Sequence, residues 1–447
     1  MLKDAWTLAI EALSWIELKN LNERLALNKT VKQLNITDPN AKGLAHRLVY
    51  ETMRRKNYLD SLINQVLKPR SINNYELGVR AFLRLYVYET RIKHSGDVHG
   101  EAVEIAHMGR SILGWQTLQP IEKTLGALLS LKTEKVFEKW DDEEKVALQT
   151  CHPAWFVKYC FKLLGRDEAL KFLRSSQIIP PTYIRLNTFR ASEEKIIETL
   201  QKEDVSVEKV PELNHTYKII KTKKPLTTTP SFKEGLFLVQ DKASCLAVET
   251  AVSKPNIAVF DVCAAPGTKT AHLAMLMQNV GTIHSFDYSR LRTRFLKWNV
   301  NRMGAQNVLP IIADARKPLP FNERADLVIL DPPCTGTGVF ARMPSAKWRL
   351  TPQSILKMAR IQWQMLRNCA EKVKESGWLV YSTYSITLEE NEILIERLLR
   401  LYPEFRLAEI KPKIGSLGLR GLTKGQRLYP HTHECNGCFI AKLQREA

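Results

Sequence analysis

Over the first 145 positions, apolar residues recur at helical spacing. In "NAKGLAHRLVYETMRRKNYLDSLINQVL", Leu44, Leu48, Met53, Leu59, Leu62 and Leu67 suit one buried face, with basic residues on the other. "NNYELGVRAFLRLYVYETRI" and "PIEKTLGALLSL" continue the pattern, which predicts a small helical bundle over residues 1–145. From about residue 150 the period shortens. "TYIRLNTFR", "VSVEKV", "HTYKIIK" and "GLFLVQD" read as short strands around the helix "SEEKIIETLQKE", so residues 146–235 are expected to form a small α+β unit. Across 236–447, the runs "NIAVFDVCAAPG", "GTIHSFD", "NVLPIIAD", "ADLVILDPP" and "GWLVYST" alternate with helical stretches. That alternation predicts an α/β, doubly wound, Rossmann-like parallel sheet. The last stretch, "QRLYPHTHECNGCFIAKLQ", reads as two antiparallel strands around a turn.

Composition narrows the function classes. With 447 residues, 44% hydrophobic and 25% charged, the chain has the balance of a folded multidomain protein. Its N-terminus mixes charges into helically spaced apolar residues, so neither a signal peptide nor a membrane span is expected, and the location read is cytoplasmic. A monomer is expected. The formal charge of +19 points to a polyanionic partner, although a solvated basic surface gives the same excess. Arg54, Arg55, Lys56, Lys68 and Arg70 in the helical part, and Arg185, Arg190, Lys221, Lys223 and Lys224 in the α+β part, offer phosphate contacts. Eight cysteines scattered through a chain of this size are expected to be reduced. Cys435 and Cys438 form one CxxC without a second pair, so a hairpin turn at Asn436–Gly437 is preferred to a zinc site and no metal is expected.

The candidate chemistry begins at "DVCAAPGTKT", which follows a predicted strand and opens a helix, the place where a doubly wound sheet binds ligands. Ala264, Ala265 and Gly267 admit a ligand close to the backbone, and the helix start accepts an anionic group. Asp287 ends the next strand, where a carboxylate can hold ribose hydroxyls, and Asp314 ends the third, placed for an adenine amino group. An adenosine without a pyrophosphate cradle, plus an anionic tail, describes S-adenosylmethionine. Each acid alone reads equally well as a loop cap.

"RLNT", "VQDKAS", "CAAPGTKT", "DPPCTGTG", "RMPSAKWR" and "LYPHTHECNGCFIAKL" resemble the motifs of the Sun-type RNA cytosine-5 methyltransferase family along most of the chain. The helical region resembles the NusB-like domain of its ribosomal RNA members, which implies rRNA or a small ribosomal subunit precursor as the partner. The resemblance implies a cofactor site of Cys263, Ala264, Ala265, Pro266, Gly267, Thr268, Lys269, Asp287, Arg292, Asp314 and Asp331. Thr268 stands where the family usually has a second glycine. Arg185, Arg342 and Lys347 are expected to hold RNA, and Trp348 to pack in a core.

One position departs from the family. Its members add a cysteine thiolate to C6 of cytosine, and that cysteine sits in "STCS"; here the stretch reads "YSTYSITLEENE" and the position is Tyr384. The family's other cysteine, which follows Pro-Pro and helps release the product, is present as Cys334. A phenol with a pKa of about 10 is a poor substitute for a thiol. Three readings follow: Cys334 attacks C6; the chain is a non-catalytic RNA-binding assembly factor; or the methyl goes to the exocyclic N4. For the third, Asp331 and the Pro332 carbonyl would accept the two amino protons, as in the "(D/N/S)PP(Y/F/W)" strand ends of amino methyltransferases, and Tyr384 would supply the ring that stacks on a flipped base.

Overall fold

The computed structural model describes residues 1–93, 96–132, 141–251 and 255–446. They divide into two compact units, one of Met1–Ile179 with Phe340–Arg349, the other of Pro180–Val339 with Leu350–Ala447. This differs from the contiguous spans 1–145, 146–235 and 236–447. The three helices within residues 142–175 belong to the first unit, and so does a ten-residue strap, Phe340–Arg349, taken from the middle of the sheet-bearing region.

The first unit is helical. Its centre is α1 (Leu2–Lys19), whose residues Trp6, Leu8, Ala9, Leu13 and Ile16 are buried against other helices. Around it lie α2 (Pro39–Arg54), α3 (Lys56–Leu67), α4 (Leu77–Val87) and α5 (Val98–Leu113). Asp38 caps α2 by accepting from the Asn40 amide at 2.9 Å. The strap is held as core. The Trp348 indole donates to the Met53 carbonyl at 2.6 Å, and the Arg54 guanidinium donates to the Ala341 carbonyl at 2.7 Å. Trp348 also packs against the helical core, as the sequence suggests.

The second unit carries two sheets. The smaller has strand order β2-β3-β1-β4, from β1 (Tyr183–Leu186), β2 (Val205–Lys209), β3 (Thr216–Thr222) and β4 (Phe237–Val239). In the larger sheet β5 (Ala258–Val262), β6 (Thr282–Asp287), β7 (Val308–Ile312), β8 (Ala325–Leu330) and β9 (Val373–Thr383) run parallel in the order β7-β6-β5-β8-β9. These strands read as apolar runs because both faces are covered: Val259 and Ile283 enter one core, Phe260 and Phe286 the other. The strand order reverses between β5 and β8, so the loops after these two strands flank the topological switch point.

β10 (Phe405–Ala408), β11 (Ser416–Leu417), β12 (Gln426–Leu428) and β13 (Cys438–Arg445) complete the sheet, with β13 antiparallel to β9. β12 and β13 pair as expected, Leu428 opposite Cys438, but Asn436–Gly437 is not a two-residue hairpin turn. Residues 429–437 form a longer loop containing the one-turn helix Pro430–His433. Docking fixes it: the Gly437 amide donates to the Gly338 carbonyl at 2.8 Å, and a Cβ on Gly338 would stand 2.0 Å from the Gly437 carbonyl oxygen. Cys435 and Cys438 are buried free thiols.

Candidate active site

The small-residue turn after β5 forms one wall of a cleft. Cys263 takes a left-handed conformation at φ 64° and Gly267 one at φ 96°, where a Cβ would also press on the Leu296 backbone at 3.2 Å. The turn then enters α6 (Thr268–Leu276). Asp261, Cys263, Ala264, Ala265, Pro266, Thr268, Lys269 and Asp331 line the cleft together.

Asp287 lies beside this wall, with its carboxylate accepting from the Ala265 amide at 3.3 Å and the Ser289 amide at 3.0 Å. Arg292, in α7 (Arg290–Met303), donates to the Ala265 carbonyl at 2.5 Å and stands 3.4 Å from Asp287. Asp314 is held differently. It is half-buried and forked to Arg316 at 2.6–3.0 Å, and hydrogen bonding to that guanidinium keeps its carboxyl below the usual range. Nine of the eleven expected cofactor residues thus gather at the β5 turn and its edge and Asp331 lines the same cleft, while Asp314 follows Ala313, whose amide donates to the Asp287 carbonyl at 3.1 Å, and is forked to Arg316.

These groups fit S-adenosylmethionine. The cleft is narrow and lined by small side chains, a helix N-terminus opens into its turn, and the carboxylates of Asp331 and Asp287 are acceptors for an ammonium and for hydroxyls. Sequence reading missed Asp261. It is buried, accepts from the Thr270 hydroxyl at 2.6 Å, and burial pushes its carboxyl up to about 6. The signal was available as the acid in "FDVCAAPG", two residues before Cys263.

Opposite the turn, the loop after β8 presents Asp331, Pro332 and Cys334. Asp331 pairs with Lys269; burial alone would lower the lysine's pKa, but the Asp331 charge and hydrogen bond outweigh it and raise it. The Lys269 ammonium lies 5.8 Å from the centroid of the Tyr384 ring. Among the described residues nothing donates to the Pro332 carbonyl, whereas the Pro333 carbonyl accepts from Gln362, in α8 (Pro352–Ala370), at 2.9 Å.

Cys334 is a poor nucleophile in this setting. Burial, reinforced by the Glu390 and Asp331 charges, pushes its thiol up to about 12, although the Gly336 and Tyr384 backbone amides hydrogen-bond to it. Tyr384 is half-buried and packs against the core, and burial raises its pKa.

The stretch after Tyr384 explains why the loop stays in place. Glu390 is fully buried and accepts from the Thr335 amide at 2.9 Å, the Thr335 hydroxyl, Gln362 at 2.9 Å, Ser385 at 2.6 Å and Thr387 at 2.9 Å. Glu392, at the start of α9 (Glu392–Leu401), forks to Arg427 at 2.5 and 2.6 Å, both side chains fully buried. "TYSITLEENE" is therefore a fastening that ties the loops after β8 and β9 to each other.

Two expected RNA contacts are corrected. Lys347 is fully buried in the first unit and donates to the Arg54 carbonyl at 3.0 Å and the Cys151 carbonyl at 2.8 Å; burial brings its pKa down to about 7. Arg185 is fully buried against Gln240 and Met275, and burial lowers its pKa to about 10. Neither side chain meets solvent where a phosphate could reach it. Arg342 is half-buried in the strap. Arg54, expected on a solvent face, is buried as well and pairs with Glu51.

Residues 250–444 match the family model of the 16S rRNA methyltransferases RsmB/F. Residues 3–108 match the NusB family, and residues 152–224 the ferredoxin-like domain of RsmF/B-like methyltransferases. The chain is 31% identical to the probable ribosomal RNA small subunit methyltransferase B of Bacillus subtilis, over 98% of each chain. It is 36% identical to the tRNA (cytosine(72)-C(5))-methyltransferase of Pyrococcus horikoshii, over 49% of this chain and 55% of that protein. The crystal structure of PH0851 superposes with a TM-score of 0.83 at 30% identity, covering 100% of this chain and 99% of that one.

Proposed function

The chain belongs to the RsmB/F family of S-adenosylmethionine-dependent RNA methyltransferases, and we propose that, in departure from the C5 chemistry for which its relatives are named, it methylates the exocyclic N4 of a cytidine in small-subunit rRNA. One observation carries the choice of atom: no activated thiol stands in the cleft. The family's attacking cysteine is replaced by Tyr384, and the Cys334 thiol is pushed up by burial and by the Glu390 and Asp331 charges, which disfavours the thiolate. Addition to C6 needs the thiolate; transfer to an amine does not.

When bound, S-adenosylmethionine would supply the methyl group, and the β5 turn with Asp287 and Arg292 at its edge would hold it. The other tasks fall to this chain. The Asp331 carboxylate would accept a hydrogen bond from one N4–H and the unclaimed Pro332 carbonyl from the other, turning the nitrogen lone pair toward the methyl; as the N–C bond forms and the S–CH3 bond breaks, one N4 proton leaves to the Asp331 carboxylate. Lys269 pairs with Asp331 and holds the carboxylate in place. The Tyr384 ring, held by its packing against the core, gives the base a face to stack on. The rRNA target draws its support from the NusB match and the name of the Bacillus relative.

A second reading is favoured by the Pyrococcus relative, which is named for C5. It makes Cys334 the nucleophile and requires RNA binding to lower its pKa. Nucleoside mass spectrometry of rRNA from cells with and without the gene separates the two. Loss of N4-methylated cytidine is expected, and loss of 5-methylcytidine would overturn the proposal.

A further inference from the structure

Helix α7 is apolar on two sides, although its packing accounts for only one. Thr293, Leu296, Val300 and Met303 follow the helical period and are buried. On the outer side, Leu291, Phe295 and Trp298 recur at the same spacing and are 61%, 55% and 53% exposed. A surface helix needs one apolar face to dock, so burial does not explain the second.

Two observations say what covers it. Arg290, Arg294 and Lys297 run along the flank of this ridge, all exposed, and none makes an ion pair or side-chain hydrogen bond among the described residues. The helix "RLRTRFLKWNVNRM" contains no acidic residue to neutralise them. Trp298 is also held ready. The Arg302 guanidinium stacks 5.0 Å from its ring and 4.1 Å from that of Phe232, which leaves the indole little freedom to lose on binding.

We propose that the outer face of α7, built from Phe295 and Trp298 with Arg290, Arg294 and Lys297, is a docking surface for single-stranded RNA, bases stacking on the rings and phosphates following the basic row. Aromatic faces accept any base, so the contact is tolerant of sequence, and an unneutralised cation row selects a polyanion over a protein partner. The helix begins beside Asp287, which ties this surface to the cofactor turn through Arg292. The proposal rests on RNA as the substrate and is independent of which cytosine atom is methylated.

The test is binding of the full chain to fluorescein-labelled oligocytidylate, titrated over a range of salt. The double variant Phe295→Ala/Trp298→Ala is expected to bind at least roughly tenfold more weakly. Replacing Arg290, Arg294 and Lys297 by Gln, at positions with no packing role, is expected to flatten the salt dependence by about one in slope per charge removed. S-adenosylmethionine affinity, read by calorimetry, is expected to match the parent in both. Unchanged RNA affinity and slope in both variants would overturn the assignment and leave the ridge to a protein partner. Because methyl transfer is not read, a failure here leaves the N4 proposal standing, and a 5-methylcytidine product leaves this one standing.

Discussion

Glu390, in the loop after β9, is fully buried and takes five hydrogen bonds, whereas Asp331, in the loop after β8, is 23% exposed and has Lys269 as its side-chain partner. Both are carboxylates at the same end of one sheet. The saturated one has no capacity left for a substrate and serves as a fastening; the other keeps acceptor sites open beside an unclaimed carbonyl. Unsatisfied capacity, more than residue type, separates chemistry from scaffold here.

Mutation sharpens the contrast. Asp331→Ala is expected to lower methyl transfer by about 10²- to 10³-fold. It also strands the Lys269 ammonium, at a cost of about 3 kcal/mol in stability. Adding Lys269→Met should restore the denaturant midpoint but not the activity, so a double variant that recovers activity would contradict the assigned role. On the scaffold side, Arg427→Ala leaves Glu392 buried and unpaired, and urea titration is expected to read a loss of about 3–5 kcal/mol.

A smaller effect concerns the strap. The folded-state pKa of Lys347, about 7, lies below the ordinary lysine value, so the unfolded chain binds its proton more readily than the folded one. Stability from this residue is complete above about pH 10.4 and is lost as the pH falls toward 7, by up to about 4 kcal/mol. The buried thiols, whose pKa values burial raises, pull stability the other way over pH 7 to 10, so the Lys347 contribution is read as a difference: the unfolding temperature of the parent should gain on that of Lys347→Met between pH 7 and 10. An identical pH profile in the variant would contradict the buried amine. The smallest effect is expected for Cys334→Ala, with methyl transfer kept within a fewfold of the parent in a single-turnover assay.

Much of this architecture was legible in the sequence. The apolar runs gave the parallel strands, because strands covered on both faces have no polar alternation to blur them. The small-residue turn gave the cofactor wall, because close backbone approach restricts it to Ala and Gly. Burial of long cations was not legible. Lys347 and Arg185 look like any basic residue in a +19 chain, and only tertiary packing shows that their charges meet carbonyl, amide and thioether groups. The strap escaped for the same reason, since nothing local marks Phe340–Arg349 as belonging with helices three hundred residues away. In α7, periodicity detects apolar positions but not which set faces inward.

The target atom can be read most directly with RNA carrying tritium at C5 of cytosine, methylated by the purified protein with S-adenosylmethionine. Methylation at N4 leaves the C5–H bond intact, so tritium stays in the RNA while methyl groups accumulate, and that is the predicted result. Release of one tritium per methyl transferred would place the methyl on C5 and contradict the account.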